Sequence, residues 1–158
     1  MSYKITGSGC CIPTIIKENK AFLGHSFLDD KGSKFDVDNE TIIDKFNSIT
    51  GIEERKYISA ELKTSDIAYH AAKVAIEDAD LDPETLDYII VAHNFGDISG
   101  DSKQIDTLPS LASRVKAKLK IHNPKCVAYD ILFGCPGWVE AMIQAQAFIK
   151  AGMAKKCL

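Results

Sequence analysis

Several features that would assign this sequence of 158 residues to a specialised class are missing from it. The N-terminus has no charged segment followed by a long apolar one, and no apolar run is long enough to cross a bilayer, so we expect a cytoplasmic protein. The net charge of -3 and the scattered lysines form no basic surface, which makes nucleic acid a poor candidate partner. A hydrophobic content of 46% argues against disorder and is enough for a globular domain with its own core.

The cysteines lack the spacing of a zinc site or a disulfide framework. There are five, at positions 10, 11, 126, 135 and 157, an odd number without a Cys-x-x-Cys pair. We therefore expect free thiols, and no metal or other cofactor. Cys10 and Cys11 are neighbours in an expected strand, where adjacent side chains point to opposite faces and cannot chelate one ion together, so both are interpreted as packing residues.

The most informative stretch is residues 126–152, in which a strand pattern is followed by a helix pattern across a glycine-rich corner. Residues 126–131 are apolar, as in an interior strand. The spacing that follows predicts a helix covered by protein on most sides, with the apolar positions Trp138, Ala141, Met142, Ala145, Phe148 and Ile149. Gly134 and Gly137 favour a tight turn, and Pro136 suits the first helical position.

Cys135 is thereby predicted at a helix N-terminus and is the candidate nucleophile. Unpaired backbone N–H groups and the positive end of the helix dipole favour the thiolate, which is the reactive form of the side chain. The alternative interpretation, a small cysteine packed in the core, stays open on these residues alone.

The rest of the chain predicts an α/β fold with a largely parallel sheet. Residues 86–92 form a continuous apolar run, typical of a strand buried in a parallel sheet, and residues 93–108 are expected to form a binding loop at its carboxyl end. Residues 157–158 look like the start of a further strand. Helices are expected after Asp38, after Thr64 or Ser65, and from Pro109.

Two N-terminal segments and the histidines complete the prediction. Residues 3–12 are expected to form a first strand, with glycines where another backbone approaches closely, and residues 15–37 to form a long irregular surface segment. The four histidines are interpreted as surface or loop residues; they are His25, His70, His93 and His122. His93 is of most interest because it follows the buried strand.

Five motifs occur in an order that resembles a known family. They are TGIEER (50–55), TSD (64–66), LDYIIVA (86–92), LPS (108–110) and DILFGCPGW (130–138). This order and spacing resembles the N-terminal half of β-ketoacyl-acyl-carrier-protein synthase III, from about residue 5 to residue 158. The implied fold is thiolase-like, with a mostly parallel sheet packed on a buried central helix that begins at Cys135. Residues 1–158 would then form an N-terminal half-domain, and the C-terminal half would be absent from this chain.

The resemblance implies a condensing enzyme of fatty-acid or polyketide biosynthesis. Such an enzyme takes an acyl group from an acyl thioester onto a cysteine and joins it to a malonyl unit on acyl carrier protein with loss of carbon dioxide. Cys135 matches the nucleophile, and its backbone N–H would be one donor of the oxyanion hole. Gly137 and Trp138 match a Cys-x-Gly-aromatic pattern at the substrate site. Leu108 matches a residue that reaches across a homodimer interface into the neighbouring acyl pocket.

The sequence departs from the family at the helix before the TGIEER motif. Lys45 and Ile49 stand where the family often has an aromatic residue and an arginine that grip the adenine of coenzyme A, which favours a donor bound to a carrier protein. The family's catalytic histidine and asparagine would lie beyond residue 158, so this chain alone is expected to be inactive. The alternatives are a non-catalytic condensing-fold partner subunit, or a relative of the hydroxymethylglutaryl-synthase or resorcinol-forming type; Cys135 favours an enzyme.

Overall fold

The structure, a computed structural model, describes residues 3–98 and 104–158. The chain divides into two compact units, one of Ile12–Ser59 and one of Met1–Cys11 with Ala60–Leu158. The smaller unit contains β1 (Ile15–Glu18), α1 (Asn39–Thr50) and β2 (Glu54–Tyr57). The larger unit contains, in order, α2 (Thr64–Asp78), β3 (Tyr88–His93), β4 (Asp97–Ile98), β5 (Ile105–Asp106), α3 (Leu111–Lys118), β6 (Val127–Leu132) and α4 (Gly137–Lys150).

In the smaller unit, β1 pairs with β2 in an antiparallel ladder. The carboxylate of Asp38 caps α1 by accepting the Thr41 N–H at 2.8 Å, and this bond lowers the pKa of Asp38. Gly51 ends the helix in the left-handed region at φ 66°. The predicted helix is therefore confirmed, whereas β1 lies within residues that were expected to be irregular.

The larger unit is built around β3, which is the central strand of a parallel sheet. It pairs with β6 from Tyr88 opposite Val127 to His93 opposite Leu132. On its other side Tyr88 forms a parallel bridge with Cys157, and Leu158 donates to the Tyr88 carbonyl at 2.9 Å. The parallel sheet and the strand start at residues 157–158 are thus confirmed.

The core of this unit lies between the sheet and the helices α2 and α3. Its buried members are Ile76, Leu86, Ile89, Ala112, Val115, Ile121 and Cys126. Within the described parts of the chain, no helix is long and apolar enough to cross a membrane. The predicted starts of two helices were slightly wrong, since Lys63 is the N-cap of α2 and Ser110 that of α3. Ser65 is not a cap because its hydroxyl bonds to Asp97 instead.

The strand predicted at residues 3–12 is wrong: the described residues of this segment pair with no strand. The segment instead runs beside α2, where a Cβ at Gly7 would lie 2.5 Å from the Ala75 carbonyl oxygen and 2.7 Å from the Ala79 nitrogen. Ser8 donates its N–H to Asp78 at 2.8 Å. The close backbone approach predicted from the glycines is therefore confirmed. Cys10 is exposed and Cys11 half-buried, which contradicts a packing role for Cys10.

The helix predicted to begin at Cys135 begins two residues later, at Gly137, with Pro136 in the N-cap position. Its coverage within this chain is partial. Phe148 stacks on Tyr88 of the sheet with ring centroids 4.6 Å apart, but the side chain of Trp138 is 67% exposed. Within this chain α4 packs on β3 and β6 of the sheet, and residues 3–9 line a cavity together with it.

Candidate active site at the Cys135 corner

Cys135 lies in a tight turn between β6 and α4. The Gly137 N–H donates to the Gly134 carbonyl at 2.8 Å and closes the turn around the cysteine. A Cβ at position 137 would lie 3.0 Å from the Ala92 Cβ and 3.3 Å from the Phe133 Cβ, so glycine allows the helix start to sit directly on β3. The turn leaves Cys135 exposed just before the first turn of the helix.

In the described part of the chain, the corner leaves backbone N–H groups unpaired. The first N–H groups of α4 have no helical carbonyl to bond, and together with the helix dipole they stabilise negative charge at the corner. Among the residues that the structure describes, none accepts a hydrogen bond from the Cys135 backbone N–H. That group is therefore available to a substrate oxygen.

The other two predicted site residues are exposed as well. Trp138 lies in the first turn of α4, three residues after Cys135. Leu108 is 83% exposed and lies on a different element, between β5 and α3. In the described parts of the chain no hydrogen bond joins the turn of Leu108 to the corner of Cys135.

His93 corrects one prediction, because it is buried rather than a surface or loop residue. It ends β3, is 9% exposed, and its Nε2 lies 2.9 Å from Oδ2 of Asp130. Its Nδ1 accepts the Gly96 N–H at 2.8 Å, so the ring proton is on Nε2 and is donated to Asp130. The other three histidines are exposed, as predicted. A carboxylate inside the apolar strand YDIL was the signal that could have identified this pair.

Sequence reasoning also missed an ionic cluster that Arg114 forms with two aspartates within the predicted loop of residues 93–108. Asp97 is 1% exposed, and its carboxylate accepts from Arg114 at 2.8 Å and from the Ser65 hydroxyl at 2.7 Å. Arg114 also bonds Asp106 at 2.7 Å, which raises the pKa of Arg114 and lowers that of Asp106. Residues 99–103 of the predicted loop lie outside the described residues.

The sequence departs from the family at Lys45 and Ile49, and both residues line one pocket of the smaller unit. Lys45 and Ile49 lie on α1 at the edge of a cavity of about 290 Å³. The other lining residues are Phe35, Val37, Thr41, Ile42 and Phe46. The pocket is apolar except for Lys45 and Thr41. Positions 45 and 49 carry neither an aromatic residue nor an arginine.

No protein-family model matches the chain. Among curated proteins it is similar to β-ketoacyl-[acyl-carrier-protein] synthase III 1 of Vibrio parahaemolyticus, with 33% identity over 158 residues, which is 100% of this chain and 43% of the relative. It is 36% identical over 155 residues to β-ketoacyl-[acyl-carrier-protein] synthase III of Neisseria meningitidis serogroup C, covering 98% of this chain and 42% of the relative. The chain thus spans about two fifths of the curated relatives it matches.

Solved structures agree with these sequence matches. The crystal structure of 3-oxoacyl-[acyl-carrier-protein] synthase III from Aquifex aeolicus superposes with a TM-score of 0.73 and 31% identity, over 98% of this chain and 42% of that one. The priming β-ketosynthase of the R1128 polyketide pathway superposes with a TM-score of 0.71 at 19% identity, over 96% of this chain and 39% of that one. At that identity the second match shows the fold alone.

Proposed function

Because the chain belongs to the β-ketoacyl-acyl-carrier-protein synthase III family and has the thiolase-like fold of its N-terminal part, we propose that it is part of a condensing enzyme. This enzyme would join an acyl group to a malonyl unit held on acyl carrier protein. The observation that carries the proposal is the exposed Cys135 at the start of α4. Since the chain spans about two fifths of its relatives, the complete enzyme would include a second half.

The proposed reaction has two covalent steps at Cys135. The thiolate attacks the carbonyl carbon of an acyl thioester, the carrier thiolate leaves, and the acyl group becomes bound to the cysteine. The malonyl thioester then loses carbon dioxide, and the carbanion so formed attacks the acyl carbonyl while the Cys135 thiolate leaves. In both steps the Cys135 N–H would stabilise the negative oxygen, and one such donor contributes roughly 3 to 4 kcal/mol in comparable sites.

Leu108 and Trp138 are the proposed substrate-binding residues. Trp138 is 67% exposed beside the nucleophile, and Leu108 is 83% exposed on a turn outside the core. This exposure leaves both side chains accessible to a ligand or to another chain. We assign Leu108 to the acyl pocket of a second copy, which makes the working unit a homodimer.

A donor bound to a carrier protein is the proposed source of the acyl group. The support is that Lys45 and Ile49 line the pocket on α1 at the two positions where the family has an aromatic residue and an arginine that grip adenine. No observation favours a non-catalytic partner subunit or a relative of another condensing type over this function. A cytoplasmic location stays a prediction.

Mass-spectrometric mapping of the acylated residue tests the proposal. The complete protein is incubated with an acyl thioester, beside the variants Cys135→Ala and Cys10→Ala. Cys10 is the matched control because it is also an exposed thiol. We expect the adduct on Cys135, its loss in C135A and its retention in C10A. An adduct on Cys10, Cys11, Cys126 or Cys157 with Cys135 free would refute the proposed role.

A further inference from the structure

The guanidinium of Arg114 donates hydrogen bonds to three residues, two before Leu108 in the sequence and one after it. Nη1 donates to Asp97 of β4 at 2.8 Å, and Nη2 donates to Asp106 of β5 at 2.7 Å. Nε donates to the carbonyl of Pro109, the residue after Leu108, at 2.9 Å. A single side chain on α3 therefore holds both strands of the β4–β5 hairpin and the turn that follows them.

The position of Arg114 is itself held by a buried carboxylate. Asp97 accepts the Ser65 N–H at 2.8 Å and the Ser65 hydroxyl at 2.7 Å, and Ser65 belongs to the first turn of α2. Asp97 is 1% exposed, so moving it would leave buried polar groups without partners. The cluster therefore anchors the hairpin to two helices, α2 and α3.

Leu108 differs from its neighbours in the sequence, because they are held by hydrogen bonds and its own side chain is exposed. Its neighbours Asp106 and Pro109 are bonded to Arg114, and the N–H of Leu111 donates to Asp130 at 2.7 Å. Leu108 itself is 83% exposed. A leucine that is exposed on a rigidly held turn is suited to fill a pocket with little loss of conformational entropy on binding.

We infer that Arg114 is a positioning residue for acyl-chain selection, because it sets where Leu108 lies in the acyl pocket of a second copy. The inference rests on the proposed function, which assigns Leu108 to that pocket. Arg114 acts through Leu108 and is not itself a catalytic residue. Its loss should therefore change which acyl donors are used more than it changes the chemistry at Cys135.

The test compares kcat/KM for a short and a long acyl donor in the complete protein. Asp106→Ala removes the link to β5; the Asp106 side chain is 50% exposed, so no buried charge is left unpaired. Arg114→Lys keeps a cation beside Asp97 but presents one ammonium group in place of a planar fork. Lys118→Gln is the control, because Lys118 lies on the same helix and pairs with Asp66 of α2 rather than with the hairpin.

We expect Leu108→Ala to change the ratio of the two kcat/KM values by about tenfold, as for a few methylene groups in an apolar pocket. D106A and R114K should shift the ratio in the same direction by about threefold, and K118Q should leave it unchanged. The rate of Cys135 acylation by the shortest donor should be the same as in the wild type for D106A, R114K and K118Q. In the double variant L108A/D106A, the second change should have no further effect on the ratio, because Arg114 acts through Leu108.

Four results would overturn the inference. If L108A shifts the ratio and neither D106A nor R114K does, Arg114 has no positioning role and the proposed function stands. If L108A leaves the ratio unchanged, the assignment of Leu108 to the pocket is wrong and the inference is wrong with it. If K118Q shifts the ratio as much as D106A, or if L108A and D106A act additively, the effect is general and does not pass through Leu108.

Discussion

Asp130 accepts the Nε2–H of His93 at 2.9 Å and, with the same carboxylate, the two backbone N–H groups that begin α3. Leu111 donates at 2.7 Å and Ala112 at 2.8 Å. One side chain of β6 therefore connects β3, β6 and α3. Its negative charge lies at the positive end of a helix, which explains a carboxylate in an otherwise apolar strand.

Replacing Asp130 should destabilise the fold. Asp130→Ala leaves two helical N–H groups and His93 without their acceptor in a site where the Asp130 side chain is 12% exposed. We expect a loss of about 2 to 4 kcal/mol in the free energy of unfolding of the complete protein, measured by urea denaturation followed by circular dichroism. Ser110→Ala, which removes the N-cap of the same helix, should cost only about 1 kcal/mol. Equal losses in the two variants would contradict the role given to Asp130.

The same pair shows why the sequence predicted the elements better than the contacts between them. The apolar run of residues 86–92 and the helical spacing after Gly137 are local signals, and they predicted β3 and α4. His93 and Asp130 are 37 positions apart, and no local pattern indicates that they meet. Likewise, residues 3–12 have the local composition of a strand, but the structure places them along a helix. Which segments contact each other depends on residues that are distant in the sequence. Hydrophobic periodicity is a local pattern and does not predict these contacts.

The approach of the N-terminal segment to α2 leads to a second prediction. A Cβ at Gly7 would lie 2.5 Å from the backbone oxygen of Ala75, so Gly7→Ala must displace the segment from the helix. We expect this variant to lose about 1 to 3 kcal/mol of unfolding free energy, as other overpacked sites do. Gly24→Ala is the control because nothing lies within 4 Å of its added Cβ. Equal thermal midpoints for G7A and G24A would show that the segment does not pack as described.

The thiols should differ in reactivity. Burial raises the pKa of the Cys157 thiol to about 11 and also raises that of Cys126, so both stay protonated at pH 8. Cys10 and Cys135 are exposed. Iodoacetamide at pH 8 should therefore label Cys10 and Cys135 first, as read by peptide mapping against time. Labelling of Cys157 as fast as that of Cys10 would contradict the described burial.

The raised pKa of Cys157 also predicts how stability depends on pH. The folded state holds the thiol proton more tightly than the unfolded state, so this contribution to stability is fully present below the ordinary thiol pKa of about 8.5. It is lost as the pH rises from there through about 11. The unfolding free energy of the wild type should thus fall more steeply over this range than that of Cys157→Ser. Identical slopes would show that the folded-state pKa is not raised.

The pocket on α1 predicts how the acyl donor is bound. Lys45 is exposed, and an exposed charge contributes at most about 1 kcal/mol to a contact. Lys45→Ala should therefore reduce kcat/KM by less than about fivefold, and equally for acyl coenzyme A and acyl carrier protein. Lys73→Ala, a change at an exposed lysine on α2, is the control. A loss confined to acyl coenzyme A would mean that Lys45 contacts that donor.

Residues 1–158 produced alone should catalyse no condensation and should self-associate. Three apolar side chains of α4 are more than half exposed in this chain, namely Trp138 at 67%, Val139 at 51% and Ile143 at 52%, and such surfaces favour association. His93 cannot act as the base for decarboxylation, because Asp130 and Gly96 engage both of its ring nitrogens. Light scattering after size exclusion should show a larger species that Ile143→Glu reduces and Ile49→Glu, a change on α1, does not. A monomeric chain of these residues that turns over malonyl thioesters would contradict the prediction.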